Sequence, residues 1–131
     1  MPSIFTKIIN REIPAHIVAE DENFLAFLDI FPLAKGHTLV IPKKEVDYIF
    51  DIDDDLLGKM TLFSKRVAKA VEQSITCQRI GIAVIGLEVP HAHIHLIPLQ
   101  SVEDINFSRP KLKFSEEEMK AIAKKIKRNL K

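Results

Sequence analysis

Residues 88–98 read EVPHAHIHLIP and place three of the chain's five histidines, His91, His93 and His95, one residue apart. The residues between and after them are apolar or β-branched up to Pro98, a composition typical of a buried strand that ends at the proline. Because side chains alternate between the two faces of a strand, the three imidazoles are expected to share one face. This stretch therefore predicts both a central strand over 91–98 and a row of aligned imidazoles.

A row of three imidazoles is difficult to explain by packing alone. One histidine on an apolar strand is usually a satisfied core residue, but three would need partners for every ring nitrogen within one layer. Two chemical interpretations remain close to even. In the first, the row of His91, His93 and His95 binds a metal, since imidazole suits zinc, copper, nickel and iron. Only Glu88 adds a carboxylate at ligand spacing to such a site. Alternatively, the row binds a phosphate oxyanion, and one neutral imidazole acts as a nucleophile.

Length and composition restrict the class of protein. The 131 residues fit one domain, 1–131, with 47% apolar and 28% charged residues, as in ordinary globular proteins. The net charge of +1 gives no general attraction to nucleic acid or to an anionic membrane. The single cysteine, Cys77, excludes an internal disulfide and favours a reducing compartment. The N-terminus has charged residues in place of a signal peptide's apolar run, so a cytoplasmic location is expected and no membrane association.

The remaining strands are predicted from short apolar runs. Residues 16–30 read as two strands around the acidic turn at 21–23, and residues 36–42 read as a third strand. The run RIGIAVIG, 79–86, is expected to be a central strand beside 91–98. Together these runs predict an antiparallel meander that continues into a larger sheet.

Two helices are predicted from apolar spacing of three and four. Acidic residues at 51–55 lie at the start of the first helix, over 53–74, where carboxylates favour a helix N-terminus, and they precede its apolar stripe from Leu56. Ser115 and Glu118 form a capping box that begins a C-terminal amphipathic helix over 115–130. The basic residues on the other face of that helix are interpreted as a solvated surface rather than a nucleic-acid site.

The histidine-rich stretch HAHIHLIP resembles the His-φ-His-φ-His-φ-φ signature of the histidine triad (HIT) family of nucleotide hydrolases and transferases. Residues 3–44 are similar to the N-terminal half of the Hint-like branch of that family. Two separated motifs in the family's order identify the chain as a member with a family-like core over 3–99. The resemblance implies an α+β fold with an antiparallel sheet of about five strands and two main helices. It also implies a homodimer formed through the long helix and the strand before the triad.

The resemblance implies a role for each histidine. His93 matches the nucleophile that attacks the α-phosphorus of a nucleotide, forming a nucleotidyl-histidine that water then cleaves. His91 matches the residue whose backbone carbonyl accepts the Nδ1–H of the nucleophile. His95 and His37 match positions that hydrogen-bond the phosphate oxygens. The implied substrates are purine nucleotides or nucleoside 5′-phosphoramidates, with no metal and no cofactor, and His95 in place of a glutamine favours hydrolysis over transfer by analogy.

The resemblance also implies a nucleotide pocket. Asp29 matches the carboxylate that binds the ribose hydroxyls. The matches to the apolar walls around the base are Ile4, Phe5, Ile8, Phe27 and Ile30. From the residues alone, an ordinary core role for these apolar side chains is equally available.

The segment before the triad departs from the Hint-like pattern. Val84, Leu87 and Glu88 stand where the branch has an Asn-x-Gly and a Gly-Gln-Ser, so two polar phosphate contacts are expected to be missing. Glu88 occupies the position of the serine that assists the leaving group, and a carboxylate there either repels phosphate or, when protonated, donates to it. A nucleotide-binding protein with little or no turnover is therefore an alternative to the hydrolase, beside the metal-binding alternative.

A second departure concerns metal ligands. Ser3 and Thr6 occupy positions at which some relatives carry zinc-binding cysteines, and Glu45 replaces a further histidine. The resemblance therefore predicts that this chain has no structural zinc.

Overall fold

A computed structural model describes residues 2–131 and is built from three α-helices and five strands. In chain order these elements are α1 (Ile4–Ile9), β1 (Ile17–Glu20), β2 (Phe24–Leu28), β3 (Thr38–Pro42), α2 (Asp54–Ser74), β4 (Arg79–Ala83), β5 (Ile94–Leu99) and α3 (Glu116–Arg128). Short 3-10 helices lie at Ile49–Asp51 and Val102–Ile105. The α+β class, the five strands and the two main helices are confirmed.

The strands form one antiparallel sheet in the order β1-β2-β3-β5-β4. The two-strand prediction for 16–30 is confirmed, and the acidic turn is held by Asp21, whose Oδ1 accepts the N–H groups of Asn23 and Phe24 at 2.8 Å. The prediction that 79–86 is a central strand is wrong. β4 ends at Ala83 and lies at the sheet edge, where Ile82 is 63% exposed. Insertion of β5 between β3 and β4 leaves β4 with one neighbour, whatever its apolar content.

The prediction of a strand over 91–98 is correct only from Ile94 onwards. Pairing between β3 and β5 stops at Val40 and Ile94. The backbone that precedes Ile94 is not paired with β3, because the Ala92 N–H donates to Val46 O at 2.7 Å instead. His91 and His93 thus precede the strand and lie in irregular backbone.

Both main helices begin at side-chain caps, of which the capping box of the second was predicted from the sequence. The Asp53 carboxylate accepts the Leu56 N–H at the start of α2, and Ser115 with Glu118 forms the capping box of α3. The short helix α1 was not predicted, because six residues are too few to show a helical period. Among residues 2–131, no helix is long and apolar enough to cross a membrane.

The two faces of the sheet are covered by different helices. One face packs against α2 and α3 in a large core that includes Ala92, Ile94 and Leu96, the residues that alternate with the histidines. The other face carries a smaller core in which Phe5 and Ile8 of α1 cover β2 and β3. The expected alternation around the triad is therefore present, and α1 lies on the face to which the histidines point.

Candidate active site

Four imidazoles are buried on the α1 face of the sheet. His91, His93, His95 and His37 are each less than 10% exposed. The ring centroids of His93 and His95 are 4.9 Å apart, and those of His37 and His95 are 5.2 Å apart. The Phe5 ring packs edge-on against His91 at 5.8 Å and against His93 at 5.0 Å. The structure thus brings together all four histidines singled out in the sequence.

The His93 ring is held by a backbone group. Its Nδ1 lies 2.8 Å from the carbonyl oxygen of His91. A carbonyl can only accept a hydrogen bond, so Nδ1 carries the proton and, in the neutral ring, Nε2 carries the free lone pair. A fixed tautomer with an available nitrogen is what a nucleophilic imidazole requires.

The tautomers of His37 and His95 follow from one another. The Leu33 N–H donates to His37 Nδ1 at 3.0 Å, so the neutral His37 ring carries its proton on Nε2 and donates it to His95 Nδ1 at 2.9 Å. His95 then has its own proton on Nε2, where it can serve an oxyanion. Burial lowers the pKa of His37 to about 3 and the pKa of His95 to about 4. Both rings are therefore neutral hydrogen-bond donors at pH 7.

Asp29 lies at the end of β2 beside this pair. Its Oδ1 accepts the Phe31 N–H at 2.9 Å, and its Oδ2 is 3.6 Å from His37 Nε2. Burial raises the pKa of Asp29; the nearby Glu88 carboxylate adds to the increase, and Lys111 opposes it. Glu88 itself is exposed, and burial remains the main cause of the raised pKa of Asp29.

The residues expected to surround a base fall into two groups. Ile8 and Phe27 are buried in the smaller core, where the Phe27 ring packs against Phe5 at 5.4 Å. Ile4 and Ile30 are 50% and 61% exposed, respectively. The exposed pair can contact a base directly, whereas the buried pair supports Phe5 beneath it.

Phe107 also contacts the site and was missed in the sequence. Its ring lies 4.7 Å from His95 and 6.3 Å from His37. The segment that carries it is tied to the Asp29 side of the site, because the Leu112 N–H donates to Pro32 O at 2.8 Å. The one signal in the sequence was an isolated aromatic residue in a polar stretch outside both motifs.

The row of three triad histidines does not form a metal-binding set. Both ring nitrogens of His91 are already engaged, Nδ1 by Ser3 Oγ at 2.7 Å and Nε2 by Pro42 O at 2.8 Å. Asp29, His37 and His95 do form a group whose potential ligand atoms lie within 4.8 Å of one another. Within residues 2–131, this group is where a metal ion could be bound.

The side chains at the expected zinc positions are hydrogen-bonded to one another. Ser3 Oγ donates to His91 Nδ1, and Thr6 Oγ1 donates to Glu45 Oε1 at 2.6 Å. Zinc in proteins is bound by thiolate, imidazole and carboxylate groups. Two alcohols whose protons are already committed, and an imidazole whose Nδ1 lone pair is occupied, do not fit that ion.

Comparisons with known proteins agree with the fold and with the histidine cluster. The family model described as the HIT domain matches residues 10–102. The adenosine 5′-monophosphoramidase of Schizosaccharomyces pombe is 35% identical over 134 residues, which cover 100% of both chains. The crystal structure of a Hit-like protein involved in cell-cycle regulation from Bartonella henselae gives a TM-score of 0.86 at 34% identity, covering 98% of this chain and 96% of that one. A zinc-bound histidine triad family protein from Mycobacterium smegmatis gives 0.82 at 26% identity, covering 96% and 91%.

The chain therefore belongs to the HIT domain family. Within the family, its likeness along its whole length to the adenosine 5′-monophosphoramidase of Schizosaccharomyces pombe assigns it to the Hint-like branch.

Proposed function

We propose that this protein is a nucleotide hydrolase that cleaves nucleoside 5′-phosphoramidates, or related bonds to the α-phosphate, through a nucleotidyl-histidine on His93. The observation that carries the proposal is the 2.8 Å bond from His93 Nδ1 to His91 O, which leaves Nε2 free to attack. The relative named adenosine 5′-monophosphoramidase supports the substrate class. The proposed compartment is the cytoplasm, where the free thiol of Cys77 stays reduced.

The proposed reaction has two displacements at phosphorus. His93 Nε2 attacks the α-phosphorus, a P–N bond to His93 forms, and the bond to the leaving amine breaks as that amine takes up a proton from solvent. Water then attacks the same phosphorus and releases a proton to solvent, the P–N bond to His93 breaks, and the nucleoside monophosphate leaves. The Nε2–H of His95 donates to the phosphate oxygens on which negative charge develops.

Asp29, Ile4 and Ile30 are proposed to bind the nucleoside part. The Oδ2 of Asp29 is available to accept ribose hydroxyls because Oδ1 alone is used by the Phe31 N–H. Ile4 and Ile30 expose apolar surface on which a purine can lie. Val84 and Leu87 offer no hydrogen bond to phosphate, so His95 is the principal donor.

The decisive experiment separates His93 from its neighbours. His93→Gly should lower hydrolysis by several orders of magnitude while nucleotide affinity stays within about tenfold, because the nucleophile is lost and the binding residues remain. Quenching the unaltered enzyme in base during turnover of a slow substrate should trap a nucleotide mass on His93. His95→Ala should slow the reaction without abolishing the adduct. Substantial activity in His93→Gly, or active protein that never gives the adduct, would contradict the proposal, and nucleotide binding without turnover would select the binding-protein alternative.

Metal binding is the second candidate, and the compact group of Asp29, His37 and His95 is the observation in its favour. The His37 Nε2–H already donates to His95 Nδ1, so an ion there has to displace that proton. Metal analysis of the purified protein distinguishes the candidates. One bound equivalent that is lost in His37→Asn supports the metal site, and substoichiometric zinc, nickel and copper supports the hydrolase.

We also propose that two copies pair through the edge strand β4. An exposed apolar edge strand is a surface that proteins normally cover, and Ile82, Val84 and Ile85 are all exposed on or after this strand. Light scattering after size exclusion should show a dimer that Ile82→Glu converts to a monomer. Phe50→Glu changes an exposed apolar residue in the 3-10 helix before α2 and should remain dimeric. A monomeric unaltered protein at micromolar concentration would refute the pairing.

A further inference from the structure

The His91 side chain has no obvious place in the chemistry, although its carbonyl fixes His93. The ring is fully buried, and its Nε2 lies 2.8 Å from Pro42 O, so Nε2 carries the ring proton. Its Nδ1 therefore needs a donor, which Ser3 Oγ provides at 2.7 Å. The position of the His91 ring thus depends on a serine at the N-terminus of α1.

The hydroxyl protons in this cluster are distributed by Glu45. Thr6 Oγ1 donates to Glu45 Oε1 at 2.6 Å, and the Ser3 N–H donates to the same oxygen at 2.6 Å. The Ser3 backbone N–H is the main cause that lowers the pKa of Glu45 to about 2, so the carboxylate is ionised at neutral pH and can only accept. Thr6 Oγ1 lies only 3.4 Å from His91 Nδ1. Because Glu45 takes the Thr6 proton, the Ser3 proton is the one that reaches His91.

These bonds tie three separate parts of the chain to one another. Ser3 Oγ also accepts the Thr6 N–H at 3.0 Å and so caps α1. Glu45 follows β3 by a few residues, and His91 begins the segment that leads into β5. The His91 ring is therefore held from two sides, at Nε2 by Pro42 O and at Nδ1 by Ser3 Oγ.

We propose, resting on the function proposed above, that Ser3, Thr6 and Glu45 are positioning residues that hold His91 so that its carbonyl keeps His93 in the reactive tautomer. The cluster touches neither the nucleotide nor the reacting phosphorus. Its contribution therefore falls on kcat, through the orientation of the nucleophile, with little effect on substrate binding.

Turnover measurements with a matched control test the role of Ser3. Ser3→Ala should lower kcat roughly 10- to 100-fold, as misplacement of a reacting group by about 1 Å does, with KM changed less than about threefold. Ser115→Ala removes an equivalent N-cap serine from α3, which packs on the opposite face of the sheet, and should leave kcat unchanged. Equal, small effects of the two changes on kcat would show that Ser3 is only a helix cap.

The carboxylate offers a conservative rescue. Glu45→Gln keeps a side-chain oxygen that accepts from Thr6 Oγ1 and from the Ser3 N–H, whereas Glu45→Ala removes the acceptor of both hydrogen bonds. Since Glu45 is exposed, both variants should fold. Glu45→Ala should lose kcat as Ser3→Ala does, and Glu45→Gln should retain most of it. Equal loss in both would contradict a role based on hydrogen bonds.

A spectroscopic readout separates this proposal from the proposed hydrolase function. Imidazole ¹⁵N chemical shifts report which ring nitrogen carries the proton, with no need for turnover. The unaltered protein should show His93 protonated at Nδ1 and His91 at Nε2, and Ser3→Ala should reduce the Nδ1–H population of His93. An unchanged His93 signal in Ser3→Ala would overturn the positioning role even in an active enzyme. Conversely, activity retained in His93→Gly would contradict the nucleophile assignment. The ¹⁵N shifts of His93 in the unaltered protein and in Ser3→Ala would still test whether the cluster sets the His93 tautomer.

Discussion

The buried His37 ring should make the fold lose stability as the pH falls below about 6.5. Burial lowers its pKa from the ordinary 6.5 to about 3, so the unfolded chain binds a proton that the folded chain refuses. Where the unfolded state binds more protons, stability rises with pH, so the loss runs from about pH 6.5 down to about pH 3. At pH 5 the ring is already protonated in the unfolded chain, because its ordinary pKa of 6.5 lies 1.5 units above that pH. At 1.36 kcal/mol per unit, His37 then destabilises the fold by about 2 kcal/mol relative to pH 8.

Urea unfolding at pH 8, 6.5 and 5 measures this loss directly. His37→Asn is the comparison, because the Asn oxygen can accept the Leu33 N–H and the side chain does not titrate. The variant should be less stable at every pH, but it should lose about 2 kcal/mol less than the unaltered protein between pH 8 and pH 5. His91 and His95 also have lowered pKa values and act in the same direction in both proteins, while the raised pKa of Asp29 acts in the opposite direction. Equal losses in the two proteins would refute a neutral, buried His37.

Two further changes test the nucleotide pocket. Asp29→Asn should weaken nucleotide binding by about 1–3 kcal/mol, because ribose hydroxyls lose a charged acceptor, and calorimetry should find that inorganic phosphate binds as before; parallel weakening of both ligands would make Asp29 a structural residue. Phe107→Ala removes the ring that packs against His95 and should lower kcat more than it changes KM, as steady-state kinetics would show, because His95 donates to the phosphate oxygens on which charge develops. An unchanged kcat would show that Phe107 does not hold His95 in place.

The strand alternation around the triad could be predicted from the sequence because it depends on local chemistry. Apolar residues between the histidines had to enter the core, and this placed the imidazoles on the other face wherever the strand began. The capping box of Ser115 and Glu118 was equally local, and so was the run of carboxylates at 51–55, within which the first helix begins. The family resemblance then added His37 and Asp29, which composition and spacing did not distinguish from ordinary strand-end residues.

The features that the sequence did not predict depend on contacts between distant segments. The edge position of β4 follows from the order of strands in the sheet, which its apolar residues do not encode. Phe107 reaches His95 because the loop after β5 folds back along the 29–33 segment, and no periodic pattern marks that return. Ser3 donates to His91, which lies 88 residues away along the chain. This role of the serine could therefore not be predicted from its neighbours in the sequence.

The tautomers of the whole cluster are set by backbone groups at its periphery. A backbone N–H fixes His37, and backbone carbonyls fix His91 and His93; His95 follows from His37. A proton added to His37 Nδ1 must break the bond from the Leu33 N–H, and a proton added to His95 Nδ1 must break the bond from His37. Burial keeps both rings neutral at pH 7, so these bonds remain and His95 Nε2–H stays available to a phosphate oxygen. The same burial that lowers stability in acid thus preserves this hydrogen-bond donor at neutral pH.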